Sequence, residues 1–210
     1  MTPAARATRA RILAGAGRAL ARLGVRATAV KDILGEAEVS RRTFYQYFSS
    51  VDGVLVALYD QAMDDMLGHL EAAVRAAPEG QRLEAGVRAY LGFHQSQGAL
   101  LTVLMSDALA PDSPLATRRE QALGRFVEVV GAFSEASRGH RLDPLLVRAL
   151  FSGLGTMVIG ARRAGTLDQT SVDRLAAVMM AMISQVLSAG DRFPSVVWAG
   201  DVSPPDAPQD

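Results

Sequence analysis

The segment 39–50, VSRRTFYQYFSS, combines two adjacent arginines with four of the chain's 12 Phe, Tyr and Trp residues. In a helix each residue turns the chain by about 100°, so Phe44 and Phe48 would share one face. Arg42 and Gln46 would share the opposite face. Arginine can hydrogen-bond guanine O6 and N7, and glutamine can hydrogen-bond adenine N6 and N7. This face therefore has the side chains for reading base edges in the major groove of double-stranded DNA.

Tyr45 and Tyr47 flank that face, where their hydroxyls can donate to phosphate oxygens. Two other interpretations exist. Aromatic residues interleaved with arginine can stack on single-stranded bases, but proteins of that kind generally use an exposed sheet or groove. Alternatively, the aromatic residues are ordinary core and the arginines a solvated edge. We favour DNA recognition because a preceding helix and a three-residue turn at 38–40 complete a helix-turn-helix.

Charge is distributed unevenly along a chain whose formal net charge is zero. Residues 1–50 contain nine basic and three acidic residues, so this part carries +6 and the other 160 residues carry −6. A basic N-terminal part on an acidic remainder predicts a polyanionic partner for the N-terminal part alone. An arginine-rich start is also found in organellar transit peptides, but here it continues into a regular helical pattern.

Helical periodicity with Gly and Pro breaks dominates the chain, and we find no alternating pattern of useful length for a strand. The sequence therefore predicts an all-α fold, in which an N-terminal three-helix domain is joined by a long fourth helix to a larger helical domain. The expected helices lie at about 4–23, 28–37, 40–48, 50–78, 79–97, 99–109, 114–138, 143–163 and 170–190. The expected capping residues of five of them are Thr28, Ser40, Ser50, Ser113 and Asp143.

Residues 8–55 resemble the N-terminal DNA-binding domain of the TetR family of bacterial transcriptional regulators. The matching positions are Arg9, Ala10, Arg11, Ile12, Leu13, Gly24, Thr28, Ile33, Val39, Ser40, Thr43, Tyr45, Phe48 and Ser50. Two positions depart from the family pattern. Glu38 stands where a turn glycine is usual, and Val51 stands where a lysine usually reaches a DNA phosphate. Losing one such cation is expected to lower DNA affinity and to reduce its salt dependence by about one counterion.

The resemblance implies a ligand-responsive repressor that binds an inverted-repeat operator as a homodimer in the cytoplasm. It divides the chain into a helix-turn-helix DNA-binding domain at 1–50, a helical ligand-binding and dimerisation domain at 51–190, and a partly disordered tail at 191–210. The candidate DNA contacts are Thr28, Arg41, Arg42, Thr43, Tyr45, Gln46 and Tyr47.

Two later segments, 149–161 and 175–183, are apolar nearly all the way round, which is unusual for a surface helix of a monomer. Gly153, Gly155 and Gly160 each lower helix stability by about 1 kcal/mol relative to alanine, and close packing of another helix would offset this. We therefore expect the last two helices to form the dimer interface. The alternative is a central buried helix in a monomer. We do not expect the segment 149–161 to span a membrane, because a membrane span needs about 20 apolar residues and this segment is shorter.

Large or adaptable side chains recur at expected inward positions of the second domain. The candidate ligand contacts are Tyr59, Met63, Met66, Phe93, His94, Gln97, Met105, Phe126 and Met157, together with Tyr90. Few of them are charged, so the expected ligand is a small, uncharged or weakly polar molecule. The same residue types are common in ordinary cores, so any one of them is as consistent with packing as with binding.

No pattern for catalysis, metal ligation or cofactor binding is apparent. The chain has no cysteine, and His69, His94 and His140 are far apart in sequence. A Ser-His-Asp order, a P-loop and a dinucleotide-binding glycine pattern are all missing, so we expect neither an enzyme nor a cofactor. One alternative function stays open. A regulator-like helical protein could bind a small molecule or a protein partner after its DNA binding has weakened or been lost, and Glu38 and Val51 support that interpretation.

Overall fold

A computed structural model describes residues 2–139, 141–165 and 167–189 of the chain. Within these ranges the chain forms α-helices and no strand, which confirms the all-α prediction. The helices are α1 (Pro3–Leu23), α2 (Val30–Ala37), α3 (Arg41–Tyr47), α4 (Val51–Ala76), α5 (Arg82–Ser96), α6 (Gly98–Asp107), α7 (Ala116–Arg138), α8 (Pro144–Arg163) and α9 (Gln169–Ala189). We call α1–α3 the head and α4–α9 the body. The tail expected at 191–210 lies outside the described residues.

Three of the expected capping residues begin their helices as predicted. The Ser40 hydroxyl accepts from the Thr43 N–H at 3.0 Å, and the Ser50 hydroxyl accepts from the Gly53 N–H at 3.1 Å. The Asp143 carboxylate accepts from the N–H groups of the second and third residues of α8 at 2.8 and 3.3 Å. Each side chain satisfies a backbone donor that the first helical turn leaves free.

The prediction that Thr28 caps α2 is wrong. Its hydroxyl donates backwards to the Gly24 carbonyl at 2.7 Å, and the helix begins two residues later at Val30. The cap comes instead from inside the first turn, where the Asp32 carboxylate accepts from the Ala29 N–H at 2.9 Å. Threonine hydroxyls often bond to nearby backbone carbonyls, and here that local bond competes with the capping role.

Two further helix starts differ slightly from expectation. Ser113 does accept from the Leu115 N–H at 3.0 Å, but it also donates to Asp107 and holds a turn, so α7 begins at Ala116. At the last helix the carboxylate of Asp168 accepts from the Ser171 N–H at 2.8 Å, so α9 begins at 169 rather than 170.

The head is held by a close contact between α1 and α2. A Cβ atom added to Gly15 would lie 2.6 Å from the Ala37 nitrogen and 2.7 Å from its Cα. Ile12, Leu20 and Ile33 are completely buried around this contact. Glycine is required at position 15 because any side chain would push against the backbone of α2, and a backbone cannot shift as a flexible side chain can.

Gly15→Ala should lower the free energy of unfolding by about 2–3 kcal/mol, because the added methyl group overpacks the contact between α1 and α2. Gly35→Ala in α2 is the matched control. No heavy atom of a neighbouring element among the described residues lies within 4 Å of a Cβ at Gly35, so alanine should stabilise that helix by about 0.5–1 kcal/mol. Chemical denaturation of both variants measures the difference. Equal stability of the two would contradict the close contact.

The body continues the buried core of the head without interruption. Buried residues from Ile12 in α1 to Met179 in α9 form one connected apolar cluster. α4 packs along α5 and crosses α7, while α6 packs on α1 as well as on α4, α5 and α8. The body therefore contacts the head both through the start of α4 and through α6.

α8 is long and apolar enough to cross a membrane by length and composition alone. In the structure it packs against α6, α7 and α9, and Val147, Phe151 and Val158 are buried in the core. One side of α8 is therefore packed into the core, while its outward face is apolar and exposed.

Candidate DNA-recognition surface and ligand cavity

α3 is anchored by its two phenylalanines. Phe44 is 0% exposed and Phe48 is 7% exposed, and their ring centroids lie 6.1 Å apart. The Arg9 guanidinium from α1 lies 5.3 Å from the Phe48 ring and covers its outer side. A helix of seven residues is not stable alone, so these buried rings are what hold α3 in a defined orientation.

The other side of α3 faces solvent, as the sequence predicts. Arg41, Arg42 and Gln46 are exposed, and Tyr45 is 48% exposed. Among the described residues, no carboxylate forms an ion pair with either arginine of this helix. The Arg41 guanidinium lies 5.9 Å from the centroid of the Tyr45 ring. α3 therefore presents unpaired cations and hydrogen-bonding groups on one convex face.

The remaining candidate DNA contacts are less accessible. Thr43 and Tyr47 are half-buried at the edges of the helix, and the Thr43 hydroxyl lies 2.8 Å from that of Ser40. Thr28 is only 8% exposed and its hydroxyl is bonded to Gly24. The structure thus brings six of the seven candidates together on or beside α3, and places Thr28 under the α1–α2 turn.

Part of the basic charge of the head is neutralised within the head. Glu36 accepts from Arg18 Nε at 3.1 Å and from Arg22 Nη2 at 3.0 Å, and these hydrogen bonds, Arg18 first, hold the pKa of the Glu36 carboxyl below its usual value. Arg18 and Arg22 are thereby paired within the head, whereas Arg41 and Arg42 of α3 have no acidic partner among the described residues.

Both departures from the family pattern have a structural counterpart. Glu38 has φ 52° and ψ 46°, so a residue with a Cβ adopts the left-handed conformation that favours glycine, at a cost of about 1–2 kcal/mol. The turn between α2 and α3 therefore keeps its left-handed residue, at the expense of backbone strain at Glu38. Val51 is half-buried and packs against the core at the start of α4. It contributes to packing where a lysine would extend outwards.

The body contains a large cavity of about 490 Å³. α4, α5, α7, α8 and α9 all contribute to its walls. The lining residues are Leu67, Leu70, Glu71, Val74, Arg75, Arg82, Leu83, Gly86, Val87, Tyr90, Phe126, Val129, Val130, Phe133, Ser134, Leu142, Val147, Leu150, Phe151, Leu154, Met179 and Ile183. Its volume and its mainly apolar walls are those of a site for a small organic molecule.

A second space, of about 30 Å³, lies on the α6 side of the large cavity. Five of the candidate ligand contacts line it, namely Tyr59, Met63, Met66, Met105 and Phe126. It is large enough for about one water molecule. Phe126 and Phe151, with ring centroids 3.8 Å apart, line both spaces and separate them.

Only Phe126 and Tyr90 among the candidate ligand contacts line the large cavity. Phe93, His94, Gln97 and Met157 line neither space. His94 is 2% exposed and packs edge-on against Tyr90, with centroids 4.6 Å apart. Burial, and then the charge of Arg162, lowers the pKa of His94 to about 4, so its imidazole is neutral at neutral pH. The structure places His94 in the core, whereas Gln97 at the end of α5 is exposed.

Most of the large cavity was not anticipated from the sequence. Its α7 wall comprises Phe126, Val129, Val130 and Phe133, whose i, i+3, i+4, i+7 spacing is a readable apolar stripe. Much of the remaining wall comes from aliphatic residues of α4, α5, α8 and α9. The sequence does not show whether such an aliphatic residue lines a cavity or packs against another side chain, because this depends on how far apart the helices lie.

The outward faces of α8 and α9 are apolar and exposed. Leu145, Gly153 and Gly160 lie on this side of α8, and Val178 and Met182 lie on α9. No heavy atom of another described element lies within 4 Å of a Cβ at either glycine. These glycines are unexplained by packing within one chain.

Gly155 is different from the other two glycines of α8. A Cβ on it would lie 3.5 Å from the Tyr90 hydroxyl oxygen, so Gly155 faces α5 inside the body. The close approach of another helix that we expected at these glycines is thus found for Gly155 within one chain.

No group of three or more His, Cys, Asp or Glu side chains suited to a metal ion is found in the described part of the chain.

Comparison with known proteins connects these features to a family. Residues 12–58 match the family model for bacterial regulatory proteins of the tetR family. The HTH-type transcriptional activator FasR of Mycolicibacterium smegmatis is 25% identical over 173 residues, which are 81% of this chain and 77% of that protein.

Solved structures share the fold along most of the chain. The fatty acid degradation regulator FadR from Bacillus halodurans matches 92% of this chain and 99% of its own, with 18% identity and a TM-score of 0.66. A TetR-like transcriptional regulator from Rhodococcus sp. RHA1 matches 86% of this chain and 96% of its own, with 20% identity and a TM-score of 0.66. The match to the tetR family model covers most of the head and the start of α4, and the fold that this chain shares with these regulators extends through the body.

Proposed function

We propose that the chain is a ligand-responsive repressor that binds an inverted-repeat DNA operator as a homodimer in the cytoplasm. The observation that carries this proposal is the surface of α3, where Arg42 and Gln46 are exposed on a helix anchored by Phe44 and Phe48. A helix presented in this way fits the major groove, and its polar side chains match the hydrogen-bonding groups of the base edges.

Each exposed residue of α3 has a distinct role in this proposal. Arg42 and Gln46 contact base edges, while Arg41 contacts phosphate. Tyr45 and Tyr47 donate their hydroxyls to phosphate oxygens from either side. Thr43, in the first turn of α3, is also expected to contact a phosphate. We leave Thr28 out of the contact set because its side chain is buried and its hydroxyl already donates to Gly24.

A homodimer is supported by the outward faces of α8 and α9. Leu145, Val178 and Met182 expose apolar surface on neighbouring helices, and Gly153 and Gly160 would let a second pair of helices approach closely. A two-fold dimer buries the same patch on both subunits and relates the two heads by the same axis. Such a dimer requires an operator with two inverted half-sites.

The ligand response is supported by the position of the large cavity against α4. Leu67, Leu70 and Val74 of α4 line the cavity, and the same helix begins at Val51, with three residues between it and the end of α3. α6 provides a second connection, because Leu100 Cδ2 lies 3.0 Å from a Cβ placed on Gly17 of α1. A ligand that moves α4 or α6 would change the separation of the two heads, which must be about 34–36 Å to reach successive major grooves.

The ligand can shift DNA binding only by its difference in affinity for the two head separations, and DNA must weaken the ligand by the same factor. The expected ligand is small and uncharged or weakly polar, which the mainly apolar walls of the cavity support. FasR is named as a transcriptional activator, so the direction of regulation needs its own measurement, in which a reporter gene behind the operator rises or falls on deletion of the regulator.

The test of the proposed function is a DNA-binding measurement on the regulator's own upstream DNA. We expect binding at least 100-fold tighter than to random DNA of equal length, with affinity falling steeply as salt is raised. Equal affinity for both DNAs would overturn the proposal. It would favour a regulator-like protein that binds a small molecule or protein partner without DNA, which the strained Glu38 and the packed Val51 already support in part.

A further inference from the structure

The charged residues of the large cavity are few and close together in the fold. Glu71 and Arg75 lie near the end of α4, and Arg82 is the first residue of α5. All other lining residues are apolar, except for Tyr90 and Ser134. The two arginines outnumber the single carboxylate, so this end of the cavity carries a net positive charge.

Arg82 lacks the partners that nearby arginines have. Its Nε atom is buried without a hydrogen-bond partner, and no ion pair to it occurs among the described residues. By contrast, Arg75 lies 4.0 Å from Glu71. Arg88, one and a half turns along the same helix, bonds Glu84 at 2.9 Å and Asp173 at 3.1 Å. A carboxylate placed at this end of the cavity would give the buried Nε–H of Arg82 a charged hydrogen-bond acceptor.

We infer that the large cavity binds a long-chain carboxylate, whose anionic group is held by Arg82 and whose apolar chain lies along the cavity. The inference rests on the proposed ligand-responsive function and names the ligand class of that site. It replaces the uncharged ligand expected from residues such as Met63 and Met105, because those residues do not line the large cavity.

The geometry of α5 indicates how the proposed ligand is oriented in the cavity. Arg82, Gly86 and Tyr90 are spaced four residues apart on the cavity side of the helix, so Arg82 and Tyr90 are separated by about 12 Å of helix. Beyond Tyr90 the wall closes, because its ring packs against Phe151 with centroids 5.7 Å apart. The anionic end therefore belongs at Arg82, and the chain extends towards Phe151.

The experiment compares dodecanoate with dodecan-1-ol, which has the same chain and no charge. Binding of each to the full chain is measured by calorimetry below micelle-forming concentrations and without DNA. We expect dodecanoate to bind at least tenfold more tightly, which corresponds to about 1.4 kcal/mol, although the alcohol is the more apolar molecule. Arg82→Gln should remove this preference and leave the affinity for the alcohol within about twofold.

Arg88→Gln is the matched control, because it removes an arginine from the same helix outside the cavity lining. It should retain the full preference for dodecanoate, and Arg82→Lys should retain most of it. Equal binding of the two probes by the wild type would overturn the inference, as would a preference that survives Arg82→Gln. The wild-type comparison holds even if Arg82→Gln fails to fold.

Failure of this inference and failure of the proposed function are separable. If dodecanoate binds as expected and operator affinity does not change, the ligand class stands and the proposed switch fails. If a neutral ligand releases the operator and dodecanoate does not bind, the switch stands and the ligand class is wrong.

Discussion

Replacing both Arg42 and Gln46 with alanine should abolish the preference for operator DNA over random DNA. Each bidentate contact to a base contributes about 1–3 kcal/mol of discrimination, so losing two should reduce the ratio of the two affinities by about 10²–10⁴. Both side chains are exposed, and neither pairs with another described residue, so the fold of the head should survive the change. Fluorescence anisotropy with both DNAs at one salt concentration measures the ratio.

Tyr45→Phe and Tyr47→Phe provide the contrast. These variants remove a phosphate contact each, so they should weaken operator and random DNA by similar factors and keep the preference. Arg88→Ala in the body should change neither affinity. If the double alanine variant loses operator and random DNA equally, then Arg42 and Gln46 contact phosphates and the assignment of base recognition is wrong.

Gly160→Arg should convert the proposed dimer into a monomer. Within one chain the substitution is tolerated, because position 160 is exposed and a Cβ there meets no other described element within 4 Å. In the proposed dimer a long charged side chain would enter an apolar helix contact. An unpaired charge buried in this way costs about 3–5 kcal/mol, so the dissociation constant should rise by at least 10²–10³.

Light scattering or sedimentation at several concentrations measures the change. Gly68→Arg is the matched control, because Gly68 is an exposed helical glycine of α4 with no other described element within 4 Å of a Cβ and lies away from α8 and α9. It should remain a dimer. A Gly160→Arg protein of unchanged mass would place the interface elsewhere. A monomeric variant should also lose most operator affinity, since one head then binds without the other.

The surface of α3 could be predicted because its determinants are local. Ser40 caps the helix from the adjacent residue, and the helical period alone separates Phe44 and Phe48 from Arg42 and Gln46. The same is true of the caps at Ser50 and Asp143. Side chains within one or two turns of each other meet in any fold that keeps the helix, so the sequence suffices to place them.

The ligand site could not be predicted in this way. Met63 and Phe126 both have the residue type and spacing of a pocket, yet Met63 borders a space for one water while Phe126 borders the large cavity as well. The difference arises from how far apart α4, α7 and α8 lie. Helix separation depends on many contacts between residues distant in sequence, and the period of one helix carries no information about it.

Residues of the same type have different surroundings in the fold, again because contacts between distant parts of the chain place them. Gly155 and Gly160 lie five residues apart in one helix, but only Gly155 meets α5, and Gly160 is left on an open face. Arg88 has two carboxylate partners while Arg82 has none among the described residues, although both are arginines of α5. The helices, most of their caps and the exposed face of α3 follow from the sequence alone, because those depend on neighbours along the chain. Only the packing of the helices leaves Gly160 on an open face and Arg82 without an acidic partner among the described residues, because those outcomes depend on neighbours across the fold.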